Sequence, residues 1–311
     1  MNRLKKKVGS LFLVLMLLLN VGMTTLSTNA ASGTSSLADT NVALDDVGRI
    51  YPFVKGIADK NISNYKRTTV TLGGKTLSVQ GFVANGVAYI PFRTASNTIS
   101  GSTYSYNSST GTSVMKASGL EITATNGAYV TYANGRVLFN TTPCVIMSDG
   151  RLYIPADVFA KAVGMIVNSS ESRTDLSGSY KPILSGDKFY REDEVFWLGR
   201  IIHAESRGEA LLGQIAVGNV VLNRVRSAYY PNTIYGVIFD RKYGVQFSPI
   251  LDGSIYNTPG YTATLAAKIC LEGYDVSGGA FFFLNVKLAT SSWIPQTRKY
   301  AFTVGNHDFY Y

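Results

Sequence analysis

Only two cysteines, Cys144 and Cys270, and two histidines, His203 and His307, occur in the 311 residues. The cysteines lie 126 positions apart, which excludes a scaffold stapled by several disulfides and leaves the fold to its hydrophobic cores. Cys270 sits in the apolar helical run Ala-Ala-Lys-Ile-Cys-Leu and is expected to be a buried structural thiol. The histidines lie 104 positions apart, and none falls between residues 31 and 189. That is too few for a zinc site built from several imidazoles and carboxylates, and no metal or other cofactor is expected. Long apolar runs are also lacking. Leu11–Leu19 stops at Asn20, near half the roughly 20 residues a spanning helix needs, and no later stretch could cross a bilayer. Charged residues make up 16 % and hydrophobic ones 46 %, too apolar for a disordered chain and enough to build about two domains.

What the N-terminus does hold is a basic cluster (Arg3, Lys5, Lys6, Lys7), the short apolar run, and the small residues Thr28, Asn29, Ala30 and Ala31. This is the layout of a secretory signal peptide over 1–30; a retained anchor is the other reading. The remaining chain is expected to be secreted, with no membrane span. The four basic residues account for part of the net charge of +9, leaving +5, of which residues 31–189 carry +4 and 190–311 carry +1. Such diffuse basicity suits an anionic polymer surface and argues against nucleic acid.

Residues 31–65 are polar and irregular and read as a tether. From 66 to 180 the character is β, with alternating runs around the turn signals Gly73-Gly74, Asn85-Gly86 and Asn134-Gly135. Asn85-Gly-Val-Ala-Tyr-Ile-Pro91 recurs as Asp149-Gly-Arg-Leu-Tyr-Ile-Pro155, an offset of 64, and each copy leads from a turn through a strand to a helix-like segment. The recurrence suggests a duplicated β-rich module. Residues 181–190, the end of a polar stretch beginning near Ser169, read as a linker. From 191 to 311 the period changes to 3.6. Helices are expected from about Asp193 to a Gly208 cap, from Leu211 to Val225, from Tyr230-Pro231-Asn232 to Phe239, and from Thr258-Pro259 to Gly273, with an aromatic, less regular tail. The fold class is therefore α+β and multidomain, a β-rich duplicated N-terminal module followed by a mostly helical C-terminal domain.

One acid stands out by position. Glu205, in His203-Ala-Glu-Ser-Arg-Gly-Glu209, falls near the C-terminal end of the first of these helices. The negative end of a helix dipole disfavours a carboxylate there, and partial burial pushes the same way. A glutamic acid kept protonated near neutrality can serve as a general acid. A solvated Glu205 paired with Arg207 is the structural alternative.

Several segments now converge, in order, on one family. They are Leu198–Glu209, Gly213–Val225, Tyr230–Ile234, Gln246-Phe-Ser248, Phe283-Leu-Asn285, Ser291-Ser-Trp293 and Gly305-Asn-His307. With them residues 191–311 resemble the SleB/CwlJ-type cell-wall hydrolases of the spore cortex-lytic kind. The resemblance implies a lysozyme-like fold that cleaves peptidoglycan glycan strands, with Glu205 as the catalytic glutamate. Residues 66–180 resemble the copper amine oxidase N-terminal-like stalk domain of secreted Gram-positive proteins. That resemblance implies wall or surface association, or simply spacing, and no copper chemistry; the diffuse basicity makes anionic wall polymers the expected partner of this domain.

The other acids make poor partners for Glu205. Glu192, Asp193 and Glu194 lie at the far end of its helix, Glu209 lies past Gly208, and Asp240, Asp252 and Asp275 lie in loop-like contexts. A hydrolysing glycosidase normally uses two carboxylates. A lytic transglycosylase needs one acid/base, because the sugar's own 6-hydroxyl attacks and forms a 1,6-anhydro ring. The expected activity is therefore lytic transglycosylation by Glu205 alone. Hydrolytic muramidase, N-acetylmuramoyl-L-alanine amidase and a non-catalytic wall-binding protein are the alternatives. Tyr243, Gln246, Phe247, Ser248, Asn285, Trp293 and His307 are the candidate substrate-binding residues, each with a packing or capping role as its alternative. Whether the substrate is spore cortex or vegetative wall stays open, since the stalk-like module is not a recognised peptidoglycan-binding repeat.

Overall fold

The computed structural model describes residues 56–311 except 171, 243, 290 and 291. The expected signal peptide and most of the tether lie outside the described residues. The chain is α+β, with a β-rich N-terminal region and a helical C-terminal region. Among the described residues no helix is long and apolar enough to cross a membrane.

The N-terminal region opens with β1 (Lys66–Leu72), β2 (Lys75–Thr76), β3 (Gly81–Ala84), β4 (Val87–Pro91) and helix α1 (Phe92–Thr98). An antiparallel meander comes next: β5 (Thr103–Asn107), β6 (Thr112–Ala117), β7 (Leu120–Thr125), β8 (Val130–Ala133) and β9 (Arg136–Phe139). Then come β10 (Val145–Ile146), β11 (Leu152–Pro155), helix α2 (Ala156–Val163), β12 (Ile166–Ser169) and β13 (Arg173–Ser177). Seven strands form a sheet in the order β10-β11-β4-β3-β1-β13-β12, with β2 paired to β1 and β1 running parallel to β13. Strand β7 buries Leu120, Ile122 and Ala124 and turns the intervening residues outward, the period-2 pattern of a half-covered sheet.

The two recurring sequence segments are neighbours. Strands β4 and β11 pair antiparallel with Ile90 opposite Ile154, and each ends in the proline that precedes its helix. Beyond the helices the copies diverge: α1 leads into the five-stranded meander and α2 into the β12–β13 hairpin. Polar Ser169–Lys188 thus hides a strand, whose Thr174 and Leu176 alternate into the core.

Two parts expected to be free chain are packed. At the end of the tether Ile57 is buried beside Phe82, Tyr89 and Tyr153, where Phe82 and Tyr89 stack at 4.7 Å. In the linker, Ile183 packs against the β core, and Gly186 donates its N–H to the Asn134 carbonyl at 2.7 Å. A helical turn α3 (Gly186–Phe189) then sets Phe189 under the Arg136 guanidinium, 3.3 Å from its ring centre. Polar composition marked this stretch as a spacer; its few apolar side chains anchor it.

The C-terminal region has helices α4 (Glu192–Ser206), α5 (Leu211–Arg226), α6 (Ile234–Ile238), α7 (Tyr261–Leu271) and α8 (Trp293–Thr297). Its strands are β14 (Phe282–Asn285), β15 (Tyr300–Val304) and β16 (His307–Tyr310). Helix α5 is buried on every side from Leu211 to Arg224, with α4 and α7 packed around it. A Cβ at Gly218 would lie 2.8 Å from both the Cys270 sulfur and Ile202, so glycine sets how closely the three helices approach. The buried Cys270 thiol donates to the Ile215 carbonyl, and both cysteines are free.

Three local expectations change. Helix α7 starts at Tyr261 rather than at Pro259, because the backbone stays extended to Gly260, whose N–H donates to His203 Nδ1 at 3.2 Å. Helix α4 ends through Arg207 in a right-handed conformation, and Gly208 takes no left-handed cap. The tail forms a three-stranded sheet in the order β14-β16-β15, with Asn285 opposite His307.

The two regions share a core. Tyr129, Val130 and Val137 cluster with the helices of the C-terminal region. Beside them Arg136 makes a two-pronged contact with Glu272, at 2.8 and 2.6 Å, with side chains 8 % and 3 % exposed. Lys161 at 3.0 Å and the Tyr190 hydroxyl at 2.8 Å complete the shell around Glu272.

Candidate active site

Helix α4 carries Glu205 on its last turn. Leu198, Ile201 and Ile202 face the core at helical spacing, and buried Ser206 turns its hydroxyl back to the Ile202 carbonyl at 2.7 Å. This fixes the helix end and leaves Glu205, half-buried, on the wall of a cavity of about 410 Å³. No hydrogen bond from another described residue reaches its carboxyl group. Burial pushes the Glu205 carboxyl up to about 7, the Asp252 carboxylate adds to the rise, and the Arg224 guanidinium opposes it.

The same cavity is lined by Gln246, Phe247, Ser248, Asn285 and His307. Five of the seven candidate binding residues are therefore brought together around Glu205. Phe247 is nearly inaccessible and forms part of the floor against Phe283, whereas Ser248 is exposed at the rim. Gln246 donates to the Gly244 carbonyl at 3.1 Å. Asn285 accepts the Lys287 N–H at 3.1 Å and stands opposite His307 across the β14–β16 pair. Trp293 stays outside the lining. It starts α8 with a half-exposed ring, beside Phe282 and under the Arg298 guanidinium at 4.7 Å, and its neighbour Ile294 enters the cavity instead. Tyr243 lies outside the described residues. His203, bonded to Gly260, holds the start of α7 and does not line the cavity.

One residue lining the site and one beside it were not singled out by sequence reasoning. Arg224 lies in the last turn of α5, 5 % exposed, with its guanidinium 5.1–5.5 Å from the rings of Phe247, Tyr230 and Phe282. Its Nε donates to the Phe281 carbonyl at 2.9 Å, while Nη1 has no partner among the described residues. An arginine in a buried helix that also holds Gln214, Asn219 and Asn223 was the available signal. Glu209 lies just past α4 with its side chain nearly buried. It accepts from the Asn306 backbone N–H at 3.2 Å and side chain at 3.0 Å, and approaches His307 Nδ1 at 3.4 Å. Burial pulls the His307 imidazole below its ordinary value, against the opposing charge of Glu209.

A second carboxylate is present at longer range. Asp252 is exposed, and hydrogen bonds from Ser254 hold it ionised below the usual carboxylate range, so it acts on Glu205 as a charge. Among the described residues no group of three His, Cys, Asp or Glu side chains is placed to hold a metal ion.

Parts of the chain are similar to known proteins. Residues 208–310 match the Cell Wall Hydrolase family and residues 71–177 the Copper amine oxidase N-terminal domain. The spore cortex-lytic enzyme of Bacillus cereus is 42% identical over 123 residues, 39% of this chain and 45% of that protein. Its counterpart from Bacillus subtilis (strain 168) is 35% identical over 123 residues, 39% and 38% of the two chains. The chain thus spans less than half the length of these curated relatives. Among solved structures, the catalytic domain of the germination-specific lytic transglycosylase SleB from Bacillus anthracis is 40% identical. It covers 42% of this chain and 100% of its own, with a TM-score of 0.37. The catalytic domain of Bacillus cereus SleB is 41% identical, covering 39% and 92%, with a TM-score of 0.36.

Proposed function

We propose that this chain, whose residues 208–310 belong to the cell wall hydrolase family, is a secreted lytic transglycosylase acting on peptidoglycan glycan strands. The observation that carries the reading is Glu205 itself. It is a half-buried carboxyl group, pushed up to about 7, on the wall of a cavity lined by polar, aromatic and aliphatic side chains. Near neutral pH such a group exists in both protonation states, which a lone acid/base must visit in turn.

In the first step Glu205 donates its proton to the oxygen linking N-acetylmuramic acid to N-acetylglucosamine, and the C1–O bond breaks. In the second, the Glu205 carboxylate takes the proton from the muramyl 6-hydroxyl as that oxygen bonds to C1. The products are a 1,6-anhydro-muramic end and a free N-acetylglucosamine end, and Glu205 returns protonated. Gln246, Asn285 and His307 supply donors and acceptors along the cavity to orient the sugars.

Asp252 favours a second reading. An ionised carboxylate within electrostatic reach of Glu205 suits a hydrolytic muramidase in which it assists a water. Mass analysis of digested sacculi separates the readings. Anhydro-muramic ends are expected; reducing muramic ends alone would establish hydrolysis, and released stem peptides would establish an amidase. Glu205→Gln should abolish all products while leaving the fold intact.

The N-terminal domain is read as a duplicated unit that associates the enzyme with the wall, supported by the antiparallel meeting of β4 and β11. Its setting is the cell wall or spore cortex, and parallel assays on cortex and vegetative sacculi distinguish the two.

A further inference from the structure

The N-terminal domain holds a cleft that glycan cleavage does not use. Its volume is about 320 Å³, and its lining includes Arg93, Arg151, Tyr104 and Tyr106. The β4–β11 register explains how the arginines meet. Pro91 faces Tyr153, so Arg93, two residues after Pro91, and Arg151, two residues before Tyr153, leave the strand pair at the same end. At the opposite end the repeat places Val87 and Asp157 in the corresponding positions. The strand pair is thus asymmetric in charge, with Arg93 and Arg151 at one end and Val87 and Asp157 at the other.

The cleft is equipped for an anion. The Arg93 guanidinium lies 4.9 Å from the centre of the Tyr104 ring, and no carboxylate pairs with it among the described residues. Tyr104 is held in turn by Ser113 at 2.5 Å. Arg151 reaches Asp149 at 3.1 Å on the exposed rim, an acid also engaged by the Tyr153 hydroxyl at 2.8 Å. The Tyr106 ring is 45 % exposed. Guanidinium groups bind carboxylate or phosphate through paired N–H donors, and an exposed tyrosine offers an apolar face with a polar edge.

We propose that this cleft binds an anionic saccharide segment of the wall, its acidic group held by Arg93 and Arg151 and its ring lying on Tyr106. The proposal rests on the reading that the chain works at the wall, but not on the cleavage chemistry.

The test is co-sedimentation of the full chain carrying Glu205→Gln with purified walls, so that binding is read while no strand is cut. Arg93→Ala with Arg151→Ala, both at exposed positions, should weaken retention by at least about tenfold, the order that a single lost charge-assisted hydrogen bond already gives. Tyr106→Ala should weaken it independently. Walls stripped of phosphodiester-linked polymers by hydrofluoric acid identify the anion. Lost retention assigns it to phosphate and kept retention to a peptidoglycan carboxylate, and both support an anion site. Parental retention by the double arginine variant and by Tyr106→Ala would overturn the proposal, whatever products the enzyme makes.

Discussion

Glu209 Oε1 stands 3.4 Å from His307 Nδ1, both side chains almost fully buried, so the loop after α4 grips the strand whose His307 lines the same cavity as Glu205. Asn306 reinforces the grip through its backbone and side-chain nitrogens. One carboxylate therefore ties the end of α4 to the turn between β15 and β16.

Gly305 is where this contact is most easily broken. Its φ is +56°, and a Cβ added there would collide with the Glu209 carboxylate. Gly305→Ala should cost about 1–3 kcal/mol of stability through backbone strain, seen as a lowered Tm. Displacement of His307 should lower kcat/KM by roughly tenfold or more, as small misplacements in a site do. A variant with parental melting and parental kcat/KM would show that Glu209 does not position the hairpin.

The acid role of Glu205 fixes a pH dependence. Its folded pKa is raised to about 7, so the protonated form needed for leaving-group protonation dominates below that value and is lost above it. The rate kcat/KM should fall as pH rises through about 7, by about tenfold per pH unit at higher pH. The same elevation costs the fold stability as pH rises from the unfolded carboxyl value, about 4.3, through about 7, because the ionised form is disfavoured when buried. A kcat/KM profile that stays flat to pH 9 would remove Glu205 from this role.

Its neighbours should move that limb in opposite directions. Asp252 raises the Glu205 pKa, so Asp252→Asn should shift the limb to lower pH. Arg224 lowers it, so Arg224→Gln should shift the limb to higher pH. If Asp252 also assists a water, Asp252→Asn lowers the plateau rate in addition to shifting the limb. A parental plateau rate with a shifted limb would leave Asp252 as a charge alone, as transglycosylation requires.

Much of this site is legible in the sequence because it rests on helices. The 3.6 period through Leu198, Ile201 and Ile202 places Glu205 at a helix end, and the matching segments gather Gln246, Asn285 and His307 around it. Arg224 is less legible, since a basic residue in the last turn of a helix also suits the dipole. Only the aromatic rings from Tyr230, Phe247 and Phe282 reveal that it is buried. Glu209 is hidden for a similar reason, because its partners lie 97 positions away. Strands β14–β16 escape a period-2 reading because their aromatic residues are only partly covered on β14.

Glu272 carries the same electrostatic reasoning to the fold. Burial alone would raise its pKa, but hydrogen bonds from Arg136, Tyr190 and Lys161 outweigh this and hold the carboxyl below its usual value. A carboxylate with a depressed folded pKa contributes stability that is fully present above the unfolded value, about 4.3, and is lost as pH falls through the folded one. Acid should therefore loosen the junction between the β region and the helical region below about pH 4. Glu272→Gln should mimic that loss at neutral pH, costing about 3–5 kcal/mol because Arg136 is left buried without its partner charge. Pairing Glu272→Gln with Arg136→Met removes the stranded charge and should recover much of the loss. Chemical denaturation of the single and double variants measures both values. Additive losses in the double variant would show that the two side chains act independently, and the ion pair would then not be what joins the regions.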